Sequence, residues 1–171
     1  MKKQHFNVSF LSGAENTPIV LSGAKQSSTS GKNTASLAID GSYSTRSQTI
    51  CQYNESIWFQ VDFPTVLCVG EVRLLQIAAA DRAYLVWRME DTRVTVLNSG
   101  TRQESLCNTL KVKDDQRDYV LQCGSEVCGD GLKLWVEHPK PGYDYQGCLH
   151  VGEIEVCPGR CPEGTVGSAG N

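Results

Sequence analysis

Thr34-Ala35-Ser36-Leu37-Ala38-Ile39-Asp40-Gly41-Ser42, then Cys51, then Trp58-Phe59-Gln60-Val61-Asp62-Phe63: the fold turns on this order. The first part sets a small apolar step against an Asp-Gly pair, a combination that suits a tight turn. The last part alternates. Ile57, Phe59, Val61 and Phe63 point one way, and Trp58, Gln60 and Asp62 the other. That is the period of a half-buried strand.

Working outward, strand patterns recur at fairly regular intervals. They are expected over 18–21, 57–63, 69–77, 93–97, 119–123, 132–138 and 149–156. The Ser/Gly-rich stretch 22–32 is expected to be loop. Residues 78–91 have room for a short turn of helix, and no long stretch sustains a helical period. Trp58 and Trp135 fall on the opposite phase from their strands' main apolar sets, so both faces of those strands are expected to be covered. Many short strands joined by Gly, Pro, Asn and Asp turns give an all-β sandwich or barrel. Residues 1–16 form a polar lead-in or an edge strand in which Phe6, Val8 and Phe10 alternate. Residues 17–157 form the domain, and 158–171 a tail.

The chain has 171 residues and a formal net charge of -3, with both signs interspersed. One domain of this size builds a core without staples. No basic footprint invites nucleic acid, and no apolar run approaches the roughly 20 residues that cross a bilayer. The 8 cysteines are the outlier. They are dispersed, without paired knuckles, which suits disulfides and an extracellular setting better than zinc. Sequons at Asn7 and Asn54 agree with such a glycoprotein. Met1-Lys2-Lys3 has the charge of a leader's start, yet residues 4–10 hold no continuous apolar segment. The expectation is a leader already removed, and the alternative is a cytosolic protein with free thiols.

The order "AS.AIDG … C … W.QVDF … EVRL" resembles the fucolectin (F-type lectin) family, part of the galactose-binding-like group that includes discoidin and coagulation-factor C domains. The resemblance covers residues 19–156 and implies a jelly-roll sandwich. It also implies a structural calcium at the Asp-Gly turn. By that likeness Asp40 supplies a carboxylate, Leu37 and Ser42 supply carbonyls, and Glu153 closes the site with the Gly152 carbonyl beside it. Ile50 stands where the family often has a serine and offers only a carbonyl, with the Thr49 hydroxyl adjacent. Ca2+ takes six to eight hard oxygens, so the donor types suit it. A self-capping Asp-Gly turn without metal is the plain alternative. The likeness further implies a Cys107–Cys123 disulfide and a bond from Cys51 toward the last strand. Cys148 and Cys157 both stand open as the partner of Cys51.

Fucolectins hold fucose with a His after the first Cys and two Arg packed on adjacent cysteines. In this chain Tyr53 takes the His position, Arg88 the second Arg, and Asp81 or Arg82 the first. Tyr84-Leu85 replaces the cysteine pair. The expected ligand-binding set is Tyr53, Arg82, Tyr84, Trp87 and Arg88, with Tyr143 and Tyr145 from a neighbouring loop. Arginine and aromatics are the types that anchor sugars and protein partners alike.

Nothing in the chain composes an active site: His5, His138 and His150 accompany no nucleophile elbow, metal-ligand helix or phosphate loop. The tail from Cys157 through Cys161 resembles the opening of an EGF-like module. The expectation is a recognition or adhesion module of a cell-surface receptor, binding a glycan or extracellular protein through loops at one end. The alternative is a secreted calcium-dependent lectin for fucose or a related sugar. An accessory module of a carbohydrate-active enzyme is a third reading. A weak homophilic contact through an exposed edge strand is open to such a sandwich.

Overall fold

A computed structural model describes residues 17–51, 56–77, 86–113, 116–124, 127–137 and 147–159. The strands are β1 (Gly23–Gln26), β2 (Ser47–Gln48), β3 (Ile57–Leu75), β4 (Arg93–Asn98), β5 (Gln103–Thr109), β6 (Tyr119–Gln122), β7 (Cys128–Val136), β8 (His150–Val151) and β9 (Glu153–Pro158).

The molecule is built on β3, which serves two sheets. Its first half lies between β1 and β7, in a sheet of order β1-β3-β7-β4-β5. Its second half lies between β6 and β9. The register shifts between Asp62 and Leu67. Pro64, which has no N–H to give a ladder, lies within that shift. Sequence patterning expected two strands here, 57–63 and 69–77. They are one strand, because the chain bends through an irregularity without leaving the sheet.

Alternation then builds the core. Ile57, Phe59 and Val61 on β3, Leu132, Leu134 and Val136 on β7, and Val94 and Val96 on β4 are all buried. They meet Val72 and Leu74, Ile154 and Val156, and Tyr119 and Leu121 from the other sheet. Burying each of these side chains is worth roughly 1.5–3 kcal/mol. Gly129 on β7 lets the end of β4 cross close by, since a Cβ there would overlap the Leu97 carbonyl.

Three disulfides pin the body. Cys107–Cys123 forms as the resemblance implied, tying β5 of one sheet to the residue after β6 of the other. Cys51 pairs with Cys148, which settles its open partner. Cys68 and Cys128, direct partners across β3 and β7, form the third.

Other expectations need correction. The stretch 22–32 is not all loop, since β1 runs through it as an edge strand beside β3. Its polar residues are accommodated because Gln26 Nε2 donates to the Asn33 carbonyl at 3.0 Å. The strand expected over 18–21 is absent; that segment is tied instead by the Ile19 N–H to the Val156 carbonyl at 2.9 Å. The strand expected over 149–156 breaks at Gly152, whose N–H donates to the Leu75 carbonyl. β5, exposed over most of its length, carries no alternation from which it could be recognised.

Candidate functional site: a loop end and an acidic turn

One end of the sandwich carries two of the expected ligand-binding residues, Trp87 and Arg88. A single 3-10 turn at 86–89 buries Val86 and Met89 and leaves Trp87 40% exposed. The turn is pinned from below: Thr92 Oγ1 donates to the Met89 carbonyl at 2.7 Å, and Glu90 Oε2 accepts the Val112 N–H at 2.6 Å. Trp87 and Arg88 are thus held out from a fixed base. Arg88 Nη1 stands 3.5 Å from each sulfur of the Cys51–Cys148 disulfide. Sulfur is a weak acceptor, and among the described residues Arg88 has no carboxylate partner. Beneath, buried His150 brings Nε2 to 3.1 Å from Cys148 Sγ.

Cys51, Cys148 and His150 form the only metal-competent cluster of three among the described residues. Both sulfurs are bound to one another, so they are not thiolates and the cluster is not a zinc site. The disulfide instead gives Arg88 an apolar plate. Sequence reasoning did not find this plate, because spacing alone left the partner of Cys51 open.

The short ladder of β2 and β8 connects this end to the acidic turn. Ser47 faces Val151 and Gln48 faces His150, so residues 40–45 fold over Glu153 on β9. Gly41, at φ 75°, makes the tight turn that sequence expected. Its N–H donates to Glu153 Oε2 at 3.2 Å. Asp40 Oδ1 accepts the Ser42 N–H at 2.9 Å, and Thr45 Oγ1 donates to Asp40 Oδ2 at 2.8 Å. Nearby, Arg73 joins Glu155 at 3.2 Å, and Tyr43 Oη donates to Glu155 Oε1.

Glu153 differs from its neighbour. It is buried, and among the described residues neither it nor Asp40 has an ion-pair partner. Burial first, then the Asp40 and Glu155 charges, push its carboxyl up to about 7, against opposition from the Gly41 and Ser42 N–H groups. A buried carboxylate beside a second one, with no cation in contact, is the environment a hard divalent ion would relieve.

Of the expected metal set, Asp40, Ser42 and Glu153 come together. Leu37 lies one turn back in the 3-10 segment Ala35–Ala38, and Gly152 directly precedes Glu153. Thr49 bonds Leu149 in both directions, and the Ile50 N–H donates to Ser28 Oγ, so the ladder carries Ile50 toward the disulfide end. The Thr49 hydroxyl is thereby committed to the Leu149 N–H. Thr45, not anticipated from sequence, is the hydroxyl that reaches Asp40. Of the ligand-binding set, Trp87 and Arg88 stand together. Tyr53, Arg82, Tyr84, Tyr143 and Tyr145 lie outside the described residues, as do the sequons at Asn7 and Asn54 and the residues after 159.

No family profile matches the chain, and no curated protein matches it in sequence. Solved structures do match. The lectin domain of Lectinolysin complexed with Lewis B antigen superposes with a TM-score of 0.69 at 20% identity, covering 85% of this chain and 99% of that one. A Streptococcus pneumoniae fucose-binding module, SpX-3, gives 0.64 at 15% identity over 84% of this chain and 99% of that one. The fucolectin from striped bass (Morone saxatilis) serum gives 0.64 at 17% identity over 82% of this chain and 46% of that one. The chain is an all-β, disulfide-stapled jelly roll of the galactose-binding-like kind, similar in fold to these lectins and to carbohydrate-binding modules.

Proposed function

We propose that this protein is a non-catalytic glycan-binding module that works outside the cell, either as part of a receptor ectodomain or secreted. The observation that carries the reading is the loop end. A pinned turn holds out Trp87 and the Arg88 guanidinium, which among the described residues has no carboxylate partner, over a disulfide plate. An aromatic face packs against a pyranose ring, and guanidinium donors bond its hydroxyls. The solved structures of like fold support this reading, since they include a lectin domain bound to Lewis B antigen, a fucose-binding module and a carbohydrate-binding module in complex with galactose. A terminal fucose or galactose is therefore the ligand class proposed here. Three disulfides suit an oxidising compartment.

Calcium belongs to this proposal as a structural ion. Asp40 and Glu153 would hold it, with carbonyls of the 37–42 turn and of Gly152 as further donors. Its chemistry is charge neutralisation, which fixes the turn against β9. A glycan array with terminal fucose and galactose epitopes, run in calcium and in chelator, tests both parts. Signal on those epitopes is expected, together with a melting temperature about 5–10 °C lower in chelator, if the ion is present near 100 times its dissociation constant. An array without carbohydrate signal overturns the reading, and an unchanged melting temperature removes the calcium.

A further inference from the structure

The outer face of the five-stranded sheet holds features that the loop end does not use. Trp58 and Trp135 are direct partners on β3 and β7, both partly exposed. Arg93 lies over the Trp135 ring at 5.4 Å. The next outward positions are Gln60 and Lys133, and the next Asp62 and Gly131. Each step along such a face is about 7 Å. At the lower end the face sinks into a groove of about 470 Å³, bounded by Gln60, Asp62, Asn98, Arg102, Glu104 and Asp130. That volume falls in the small-ligand range of roughly 300–1,000 Å³. Gly131 floors it with bare backbone.

We propose that this groove is a second binding site, taking an uncharged, linear oligosaccharide laid along the strands toward the tryptophan pair. Charge argues for a neutral ligand. Lys25 pairs with Asp62 at 3.2 Å and Lys133 with Glu104 at 3.2 Å, while Asp130 is engaged by the Ser99 hydroxyl and N–H. The lining charges are two cations, Lys25 and Arg102, and three carboxylates, Asp62, Glu104 and Asp130, so no excess of positive charge invites a phosphate or sulfate. The walls also present amides and carboxylates, which together accept from and donate to sugar hydroxyls.

The rim is preformed. Ser99 ties the β4–β5 turn to β7 through Asp130, and Asn98 Oδ1 accepts the Thr101 N–H at 3.0 Å. Arg102 is held at φ 55°, a left-handed conformation that disfavours a side chain other than glycine. That left-handed residue lies at the groove's edge, on the turn between β4 and β5.

Native gel electrophoresis through soluble arabinoxylan, barley β-glucan and linear galactan tests the proposal. Excess free fucose and galactose are added throughout, so that loop-end binding is competed away. Retardation by at least one polysaccharide is expected. Gln60→Ala should weaken it roughly fivefold, as loss of a hydrogen-bonding group does. Arg102→Gly should weaken it similarly while leaving the melting temperature equal or higher, because glycine relieves the left-handed backbone. Array binding of terminal sugars should not change in either variant. Absence of retardation in every gel overturns the proposal, and so does retardation that both variants leave intact. A silent array with retarded gels removes the loop-end reading and leaves this one standing.

Discussion

Replacing Glu153 by glutamine should stabilise the metal-free protein at pH 8 and leave its stability unchanged at pH 4. The carboxyl of Glu153 titrates at about 7 in the folded protein against an ordinary 4.5. The folded state therefore keeps its proton longer than the unfolded chain does. Stability falls as pH rises through the window from 4.5 to about 7, and is flat on either side as far as this group is concerned. A displacement of that size corresponds to about 3 kcal/mol. Glutamine keeps an oxygen for the Gly41 N–H and never ionises, so it removes the whole loss. For a chain of this length the gain is about 8 °C in melting temperature at pH 8. The assay is thermal unfolding of wild type and Glu153→Gln in chelator, from pH 4 to 8. The difference between the two proteins is the readout, so that other titrating groups cancel. A difference that stays constant across the range refutes the reasoning. With calcium added at pH 8, wild type should rise and the variant should not, since the ion takes the ionised carboxylate.

Arg88→Ala should reduce glycan affinity at least about tenfold, the value of a charged hydrogen bond, and move the melting temperature by less than about 2 °C; calorimetric titration and thermal unfolding check these. Replacing Cys68 and Cys128 together by alanine opens a loop of 60 residues and should cost up to about 4 kcal/mol on chain-entropy grounds, read by urea denaturation. Gly129→Ala forces a methyl group against the Leu97 carbonyl and should cost about 1–3 kcal/mol by the same measurement, with β4 losing amide protection against exchange before β3 does.

The sandwich was legible where burial is one-sided. Ile57, Phe59 and Val61 alternate because one face of β3 meets the core, and Leu132, Leu134 and Val136 do so on its partner. β1 and β5 were hidden for a shared reason: both are edge strands, and their residues answer to solvent on most sides. In β1 the composition imitates a loop, and Gln26 is held there by its Nε2, which donates to the Asn33 and Gln48 carbonyls. The fusion of two expected strands into β3 depended on how Pro64 is accommodated in a bulge, which no periodicity reports. Trp58 and Trp135 were off-phase in the sequence because they occupy the outer face, and only the register showed them to be neighbours. At the acidic turn, Asp40-Gly41 announced itself locally. Its meeting with Glu153, 112 residues on from Gly41, came from the family resemblance and not from any spacing. The pairing of Cys51 with Cys148 needed the β2–β8 ladder, which is too short to leave a pattern.

The most direct test of the account is amide NMR during titration with an array-positive terminal fucoside or galactoside. Shifts should concentrate at Trp87, Arg88 and the residues flanking Cys51 and Cys148, and vanish in Arg88→Ala. Shifts that spare this end of the sandwich, or that persist unchanged in the variant, would contradict it.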